Sequence, residues 1–338
     1  MKLKKYLQYA AIAMACLTYP VAHAQQTLRV AHAYQPNTSV YVFWEELAKG
    51  INEKSKGQLK VQVFHSGQLG GDEQVFRGMK LGTIHMGSGA AANEGVLTDA
   101  YYWMDLPYVF KSRESASKVF ADEEVDKYLR DKLRSDAGTV LLGHIEVGGY
   151  RLLINKSRPL KTPSDTHGLK FRALSNPSDT AVLKAWGFTP TPLPWSDTYP
   201  SLEQGMIDGL NLQAAAIKAF GFQELVKYAT ETNTLMTFHV AQMNAKTFDA
   251  LSPELQQLIR QEAARALSVA NDLDRQDERT VYADLKQKID IYTPTQEEMK
   301  QWEAPALALW PALTSKLDKA LIDRVVAVQK DEASQPSK

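Results

Sequence analysis

The sequence predicts an α/β protein of two similar, doubly wound lobes with a ligand crevice between them. Three observations carry this. A strand-helix-strand-helix-strand pattern occurs twice, over residues 27–87 and 168–212. The two stretches close on similar segments, Gly82-Thr83-Ile84-His85-Met86-Gly87 and Gly205-Met206-Ile207-Asp208-Gly209-Leu210. The C-terminal third is helical, with one periodic run long enough to lie across both halves. Sheets of this kind bind ligands at the carboxyl ends of their strands. A chain of 338 residues with 44% apolar content can bury two cores.

The elements follow in order. Residues 1–24 open with Lys2, Lys4 and Lys5, continue through an uncharged Ala-rich stretch and reach Ala22-His23-Ala24, the small-residue pattern of a signal-peptidase site. They read as an export signal cleaved after Ala24. The alternatives are a retained anchor, which Gln8, Thr18, Pro20 and His23 interrupt, and lipidation at Cys16. Residues 27–33 (TLRVAHA) have the composition of a buried strand, and Val42, Trp44, Leu47 and Ile51 recur at helical spacing within 39–56. An alternating strand at 58–65, a Gly-rich turn at 67–71, a helix from Asp72 to about Gly82 and a short strand at 84–87 complete the first unit. The second has a strand at 169–174, a helix at 177–186, an extended Pro-spaced stretch at 189–195, a helix at 196–204 and a strand at 207–212. Chance similarity of two α/β segments is the competing explanation of the echo.

Ser252-Pro253-Glu254 supplies an N-cap, a first-turn proline and an early acid, and Leu255, Leu258, Ile259, Ala263 and Leu267 then keep one face apolar. The charge-dense run 272–288 extends it, as one long helix or as two meeting at a kink. Thr295-Gln296-Glu297-Glu298 is a capping box, and 331–338 reads as a frayed tail.

Composition excludes several classes of function. Thirty-nine Lys and Arg balance 39 Asp and Glu, which argues against a nucleic-acid partner, and the one Cys lies in the leader, so neither disulfides nor thiolate metals hold the fold. No phosphate-cradling Gly-rich loop occurs. Gly87-Ser88-Gly89 lacks the third glycine of a dinucleotide turn, and Ser88 lacks the glycines of a nucleophile elbow. His32, His65, His85, His144, His167 and His239 are scattered without an i, i+4 pair, and Asp122, Glu123 and Glu124 read as a solvated helix face. No metal site, cofactor or catalytic set is expected, and binding is favoured over catalysis.

An ordered series of motifs points further. Gly149-Tyr150-Arg151, Asn155, Arg158-Pro159-Leu160 and Thr162-Pro163-Ser164-Asp165 lead to Gly168-Leu169-Lys170-Phe171-Arg172. Thr189-Pro190-Thr191-Pro192-Leu193-Pro194-Trp195, Tyr199 and Gln204-Gly205-Met206-Ile207-Asp208-Gly209 follow. Upstream stand Gly67-Gln68-Leu69-Gly70-Gly71-Asp72 and Leu106-Pro107-Tyr108-Val109-Phe110; downstream, Asn244 and Leu251-Ser252-Pro253-Glu254. The series resembles the extracytoplasmic substrate-binding proteins of TRAP transporters, of the C4-dicarboxylate-binding type. The resemblance implies a type II-like periplasmic binding protein fold, with crossing hinge strands and a long helix spanning both lobes. It places lobe I at 25–148 plus 238–277 and lobe II at 149–237 plus 278–338. It implies a periplasmic monomer that captures a small carboxylate and passes it to the small and large membrane permease subunits. A ligand-binding subunit of a sensor and an exported enzyme are the alternatives.

The resemblance also nominates residues. Arg172 occupies the position whose guanidinium holds the ligand carboxylate, a geometry that a lysine cannot copy. Arg151 matches a second such position, with a hinge salt bridge as its alternative role, and Trp195 an aromatic wall, with a core position as its alternative. Many relatives carry Gln-Glu-Asn-Pro after Asp-Gly; here Leu210-Asn211-Leu212-Gln213 follows, so Leu212 stands where a ligand-binding Asn is usual, and Asn211 or Gln213 supplies a different contact or none. Residues 88–93 (SGAAAN) carry no acid to meet an amino group, which leans toward a plain carboxylate with an apolar, hydroxylated or aromatic body. Tyr34, Asn37, Ser175 and Asn176 are further wall candidates.

Overall fold

A computed structural model describes residues 25–174 and 176–330; the expected export signal, Ser175 and the C-terminal tail lie outside the described residues. The first unit runs β1 (Gln26–Ala31), α1 (Ser39–Lys54), β2 (Leu59–Phe64), α2 (Asp72–Leu81) and β3 (Met86–Ala90). Short 3₁₀ turns lead to α3 (Arg113–Ala121), α4 (Glu123–Lys132) and the 17-residue β4 (Thr139–Asn155). The second unit runs β5 (Lys170–Ala173), α5 (Pro177–Ala185), β6 (Thr189–Pro192), α6 (Trp195–Glu203) and β7 (Gly209–Gln213). After it come α7 (Ala214–Ala219), β8 (Tyr228–Thr230), β9 (Met236–Asn244), α8 (Ala245–Asp249) and α9 (Pro253–Lys286). The chain then forms β10 (Asp290–Tyr292), α10 (Gln296–Leu307), α11 (Trp310–Thr314) and α12 (Lys319–Val328).

The two units build the same parallel arrangement, β2-β1-β3 in one half and β6-β5-β7 in the other. The predicted repeat is therefore architectural and not a coincidence of composition. Each third strand starts two residues later than its hydrophobicity suggests, for one reason. Gly82 and Gly205 turn the chain in the left-handed region after a helix, and Ile84 and Ile207 drop beneath that turn into the core before the ladder begins.

One strand serves both halves. β9 enters antiparallel between β3 and β4, whose residues 139–150 complete the first sheet; residues 151–155 of β4 pair with β7 and β8 in the second. The change of sheet falls at Gly148 and Gly149, with φ of +66° and +69°, a conformation that costs glycine little. Asp274 of α9 accepts from the Gly148 amide at 2.8 Å, and Arg113 joins Asp274 to Glu146 of β4 at 2.9 and 2.8 Å.

Helix α9 is a single unbroken element. Ser252 accepts from the Leu255 amide, Pro253 occupies the first turn, and 34 residues at 1.5 Å each reach about 50 Å. It packs on α1 of the first half, passes over β4 and reaches α7 of the second. The segment 278–330 divides between the halves. Trp302 of α10 meets Trp186 edge-on at 5.1 Å in the second half, whereas Leu321, Ile322 and Val325 of α12 pack with Val119, Val125 and Leu129 in the first. Both destinations follow from the apolar stripe each helix carries, which local spacing alone does not assign to a partner.

Candidate functional site

The carboxyl ends of β1, β3, β5 and β7 converge with β4 and β9 on one narrow cleft, whose cavity volume is about 30 Å³. Arg172 on β5 and Arg151 on β4 both line it, at 5% and 4% exposure. Arg172 donates from Nε to the Leu193 carbonyl at 3.2 Å, and its guanidinium carbon lies 5.6 Å from the centre of the Trp195 ring. Burial pulls its pKa down to about 10; nearby Asp179 opposes that shift and Arg151 adds to it. Arg151 donates from Nε to Thr237 Oγ1 at 2.8 Å, and its Nη1 is buried without a partner. Among the described residues neither arginine has a carboxylate within salt-bridge distance. Their counter-charges stand farther off: Asp105, pushed up to about 7 chiefly by burial and drawn down by Arg151; Asp179, raised by burial and lowered by both arginines; and Asp72, whose charge also favours the charged form of Arg172.

A hydrogen-bonded relay fixes the surrounding wall. Thr237 on β9 accepts from Arg151 and donates to Gln213 Oε1 at 3.3 Å, and Gln213 Nε2 donates to Tyr34 Oη at 3.2 Å. The relay joins the loop after β1 to β4, β7 and β9, across both sheets. Asn211 lines the cleft with Oδ1 unpartnered, while Leu212 adds an apolar wall and packs in the second core. Trp195, at the first turn of α6, lines the cleft and also meets Phe220 edge-on at 4.8 Å, so it serves wall and core together.

Two sequence candidates lie elsewhere. Asn37 borders a neighbouring cavity beside Gly148 and Lys218. Asn176 caps α5 by accepting from the Ser178 amide at 2.7 Å, and its Nδ2 donates to Asp105 at 2.7 Å; capping occupies its side chain. Ser175 falls outside the described residues.

The structure adds residues that sequence reasoning passed over. Asp72, in the first turn of α2, lines the cleft at 6% exposure; its Oδ2 accepts from the Ala90 amide and from Asn93 Nδ2, both at 2.9 Å, and its Oδ1 has no partner. Residues 88–93 hold no acid, but α2 delivers one against the end of β3. An acid opening a helix reads as ordinary dipole complementation, which concealed it. His239 on β9 stacks edge-on to Tyr34 at 4.6 Å with Nδ1 unpartnered, and burial holds it neutral, its pKa down at about 4. No signal in its uniformly buried strand separates it from a core histidine. Among the described residues no group of His, Cys, Asp or Glu could hold a metal ion, and no helix is long and apolar enough to cross a membrane.

Comparison with known proteins places this cleft. The model of the bacterial extracellular solute-binding proteins, family 7, matches residues 30–316. The 2,3-diketo-L-gulonate-binding periplasmic protein of Escherichia coli K12 is 28% identical over 264 residues, 78% of this chain and 80% of its own. The C4-dicarboxylate-binding periplasmic protein of Rhodobacter capsulatus is 25% identical over 293 residues, 85% and 86% of the two chains. A TRAP periplasmic solute-binding protein from Sulfurospirillum deleyianum, solved with bound succinate, superposes with a TM-score of 0.85 at 27% identity, over 90% of this chain and 99% of its own. A sugar-acid-binding protein from Advenella mimigardefordensis, in complex with galactonate, gives 0.86 at 25% identity over 91% and 98%. The family match runs from within β1 to beyond α11 and so takes in both sheets, the strand they share and every described wall of the cleft; the chain belongs to bacterial extracellular solute-binding protein family 7, the TRAP-type solute receptors, which bind and do not transform what they carry.

Proposed function

We propose that this protein captures a small organic carboxylate outside the cytoplasm and hands it to the small and large subunits of a TRAP membrane permease. Arg172 is the anchor and Arg151 its partner. The observation that carries this reading is the pair of buried guanidiniums on one cleft with no carboxylate among the described residues in salt-bridge contact. A buried charge without a partner is costly, and a ligand carboxylate accepting two parallel bonds relieves that cost. The proteins it resembles bind succinate, galactonate and diketogulonate, all carboxylates.

Lobe I comprises residues 25–148 and 238–277 together with α12; residues 149–237 and the segment from 278 through α10 form lobe II, with the hinge at Gly148 and Gly149. The lobes approach when ligand touches both, since only contacts to both can shift the open-closed balance. The exported chain begins after Ala24 and acts as a monomer. The test is a thermal-shift screen of the purified chain against mono-, di-, hydroxy-, keto- and aromatic carboxylates, repeated after unfolding and refolding to strip bound ligand. At 1,000 times its dissociation constant a ligand adds about 4 kcal/mol of stability, a shift of several degrees. A panel with no hit after refolding would sink the carboxylate reading.

A further inference from the structure

We infer that the ligand is a monocarboxylate whose far side carries hydrogen-bond donors, hydroxyl or ammonium, and that Asp72 makes the protein reject dicarboxylates. The inference rests on the carboxylate reading above and names the class of acid that this cleft accepts.

It comes from an inventory of polar atoms that the protein leaves unsatisfied. Buried polar groups are almost always hydrogen-bonded, so an unpartnered atom on a cleft wall states what the missing molecule must bring. On the cationic side, Arg151 Nη1 has no partner, and among the described residues Arg172 donates only from Nε. Those donors require an anionic acceptor, the ligand carboxylate. On the elements of the first half, Asp72 Oδ1 and His239 Nδ1 are buried without partners, as is Asn211 Oδ1 on β7 beside the arginines. Asn211 can turn its amide and a neutral His239 can change tautomer, so both adapt to a donor or an acceptor. Asp72 cannot. Its Oδ2 already accepts from Ala90 and Asn93, which fixes the carboxylate on the wall, and its free oxygen only accepts.

A dicarboxylate that places one end on the arginines has only acceptors left for the other. Its second carboxylate meets Asp72 as a like charge in a site with little water, and Asp72 Oδ1 stays unsatisfied. A hydroxyl satisfies the same oxygen, and an ammonium adds charge. A site that hydrogen-bonds a substrate hydroxyl discriminates strongly against analogues lacking it, because its own polar groups are then stranded.

The experiment is calorimetry on refolded protein with succinate, glutarate, 4-hydroxybutyrate, 4-aminobutyrate and galactonate. The tightest donor-bearing monocarboxylate is expected to bind at least tenfold tighter than either dicarboxylate, and the comparison of 4-hydroxybutyrate with 4-aminobutyrate identifies the donor. In Asp72→Asn, whose amide oxygen can still accept from Ala90, the preferred acid weakens at least tenfold and the gap to succinate narrows. If succinate or glutarate equals or beats every monocarboxylate on the wild-type protein, the inference is overturned while the arginine anchor stands. If the gap survives unchanged in a folded Asp72→Asn, Asp72 is not the selector and the assignment fails. Should that variant not fold, the wild-type ranking decides alone. If none of the five acids binds, the anchor reading fails and this one with it.

Discussion

The two α/β units share strand order and differ in what they send to the cleft. In the first, β1 ends on Ala31, paired with Gly87 of β3; in the second, the corresponding pairing of β5 with β7 brings Arg172 opposite Leu210. The first turn of the helix after the second strand carries Asp72 in one unit and Trp195 in the other. One unit thus offers an acceptor and the other a cation with an aromatic floor. The backbone repeat sets where side chains converge, and a few substitutions on it give the two walls opposite polarity.

The largest break in this comparison comes from removing the cation. Arg172→Ala leaves Arg151 alone on the cationic wall, and loss of one member of a buried pair costs about 3–5 kcal/mol, so the dissociation constant rises on the order of a hundredfold or more. Calorimetry giving an affinity within threefold of wild type would place the anchor elsewhere. Next is Glu94, just beyond β3, fully buried with Oε2 unpartnered while Oε1 accepts from Gln242. Burial pushes its pKa up to about 8 in the folded state, above the ordinary carboxylate value. The unfolded chain therefore ionises first: stability falls as pH rises from about 4.5 to about 8, and the full cost, on the order of 5 kcal/mol, is present above that. Glu94→Gln should flatten this slope, and melting curves from pH 5 to 9 that overlay after normalisation would refute it.

A third contrast uses the glycines of the third strands. A Cβ on Gly209 would lie 2.2 Å from the Ile154 carbonyl oxygen, and one on Gly87 2.5 Å from a Val75 methyl and 2.7 Å from the Ala31 carbonyl oxygen. Both alanine variants should be destabilised by about 1–3 kcal/mol in urea titrations, Gly209→Ala more because its clash with backbone is the closer of the two. The reverse order would mean that the second sheet is the softer of the two. Smallest is Trp195→Ala, expected to weaken binding about tenfold, the scale of a cation–π contact with its packing, and to change the ranking of ligands. An unchanged ranking would make Trp195 a core residue only.

The legible parts of the fold were local. Helical spacing, left-handed Gly caps and alternating strands mark both units, and Ser252-Pro253 and Thr295-Glu298 mark helix starts that the structure reproduces. The strands that join the halves were implied only by resemblance, because β4 and β9 meet partners about a hundred residues away and no local period encodes such pairing. At the site, Arg172, Arg151 and Trp195 stand in recognisable motifs, whereas Asp72 has the look of a helix-opening acid and His239 of a core residue. Asn176 is the reverse case: standing before Pro177 it caps α5, and that role occupies its side chain.

The late strand β9, inserted between β3 and β4, also fixes an order of assembly. As the chain emerges from its amino end, β5, β6 and β7 can close on the end of β4 with a contiguous segment of about 75 residues. The first sheet, although synthesised earlier, lacks its central strand until residue 244 is out, so the facing edges of β3 and β4 stay open meanwhile. Such non-local pairing is slow, and open strand edges invite the wrong neighbours. The interval before β9 docks is therefore the stage at which this chain is most exposed to aggregation, and slowing release of residues 236–244 should lower its folding yield more than an equal delay anywhere in the second unit.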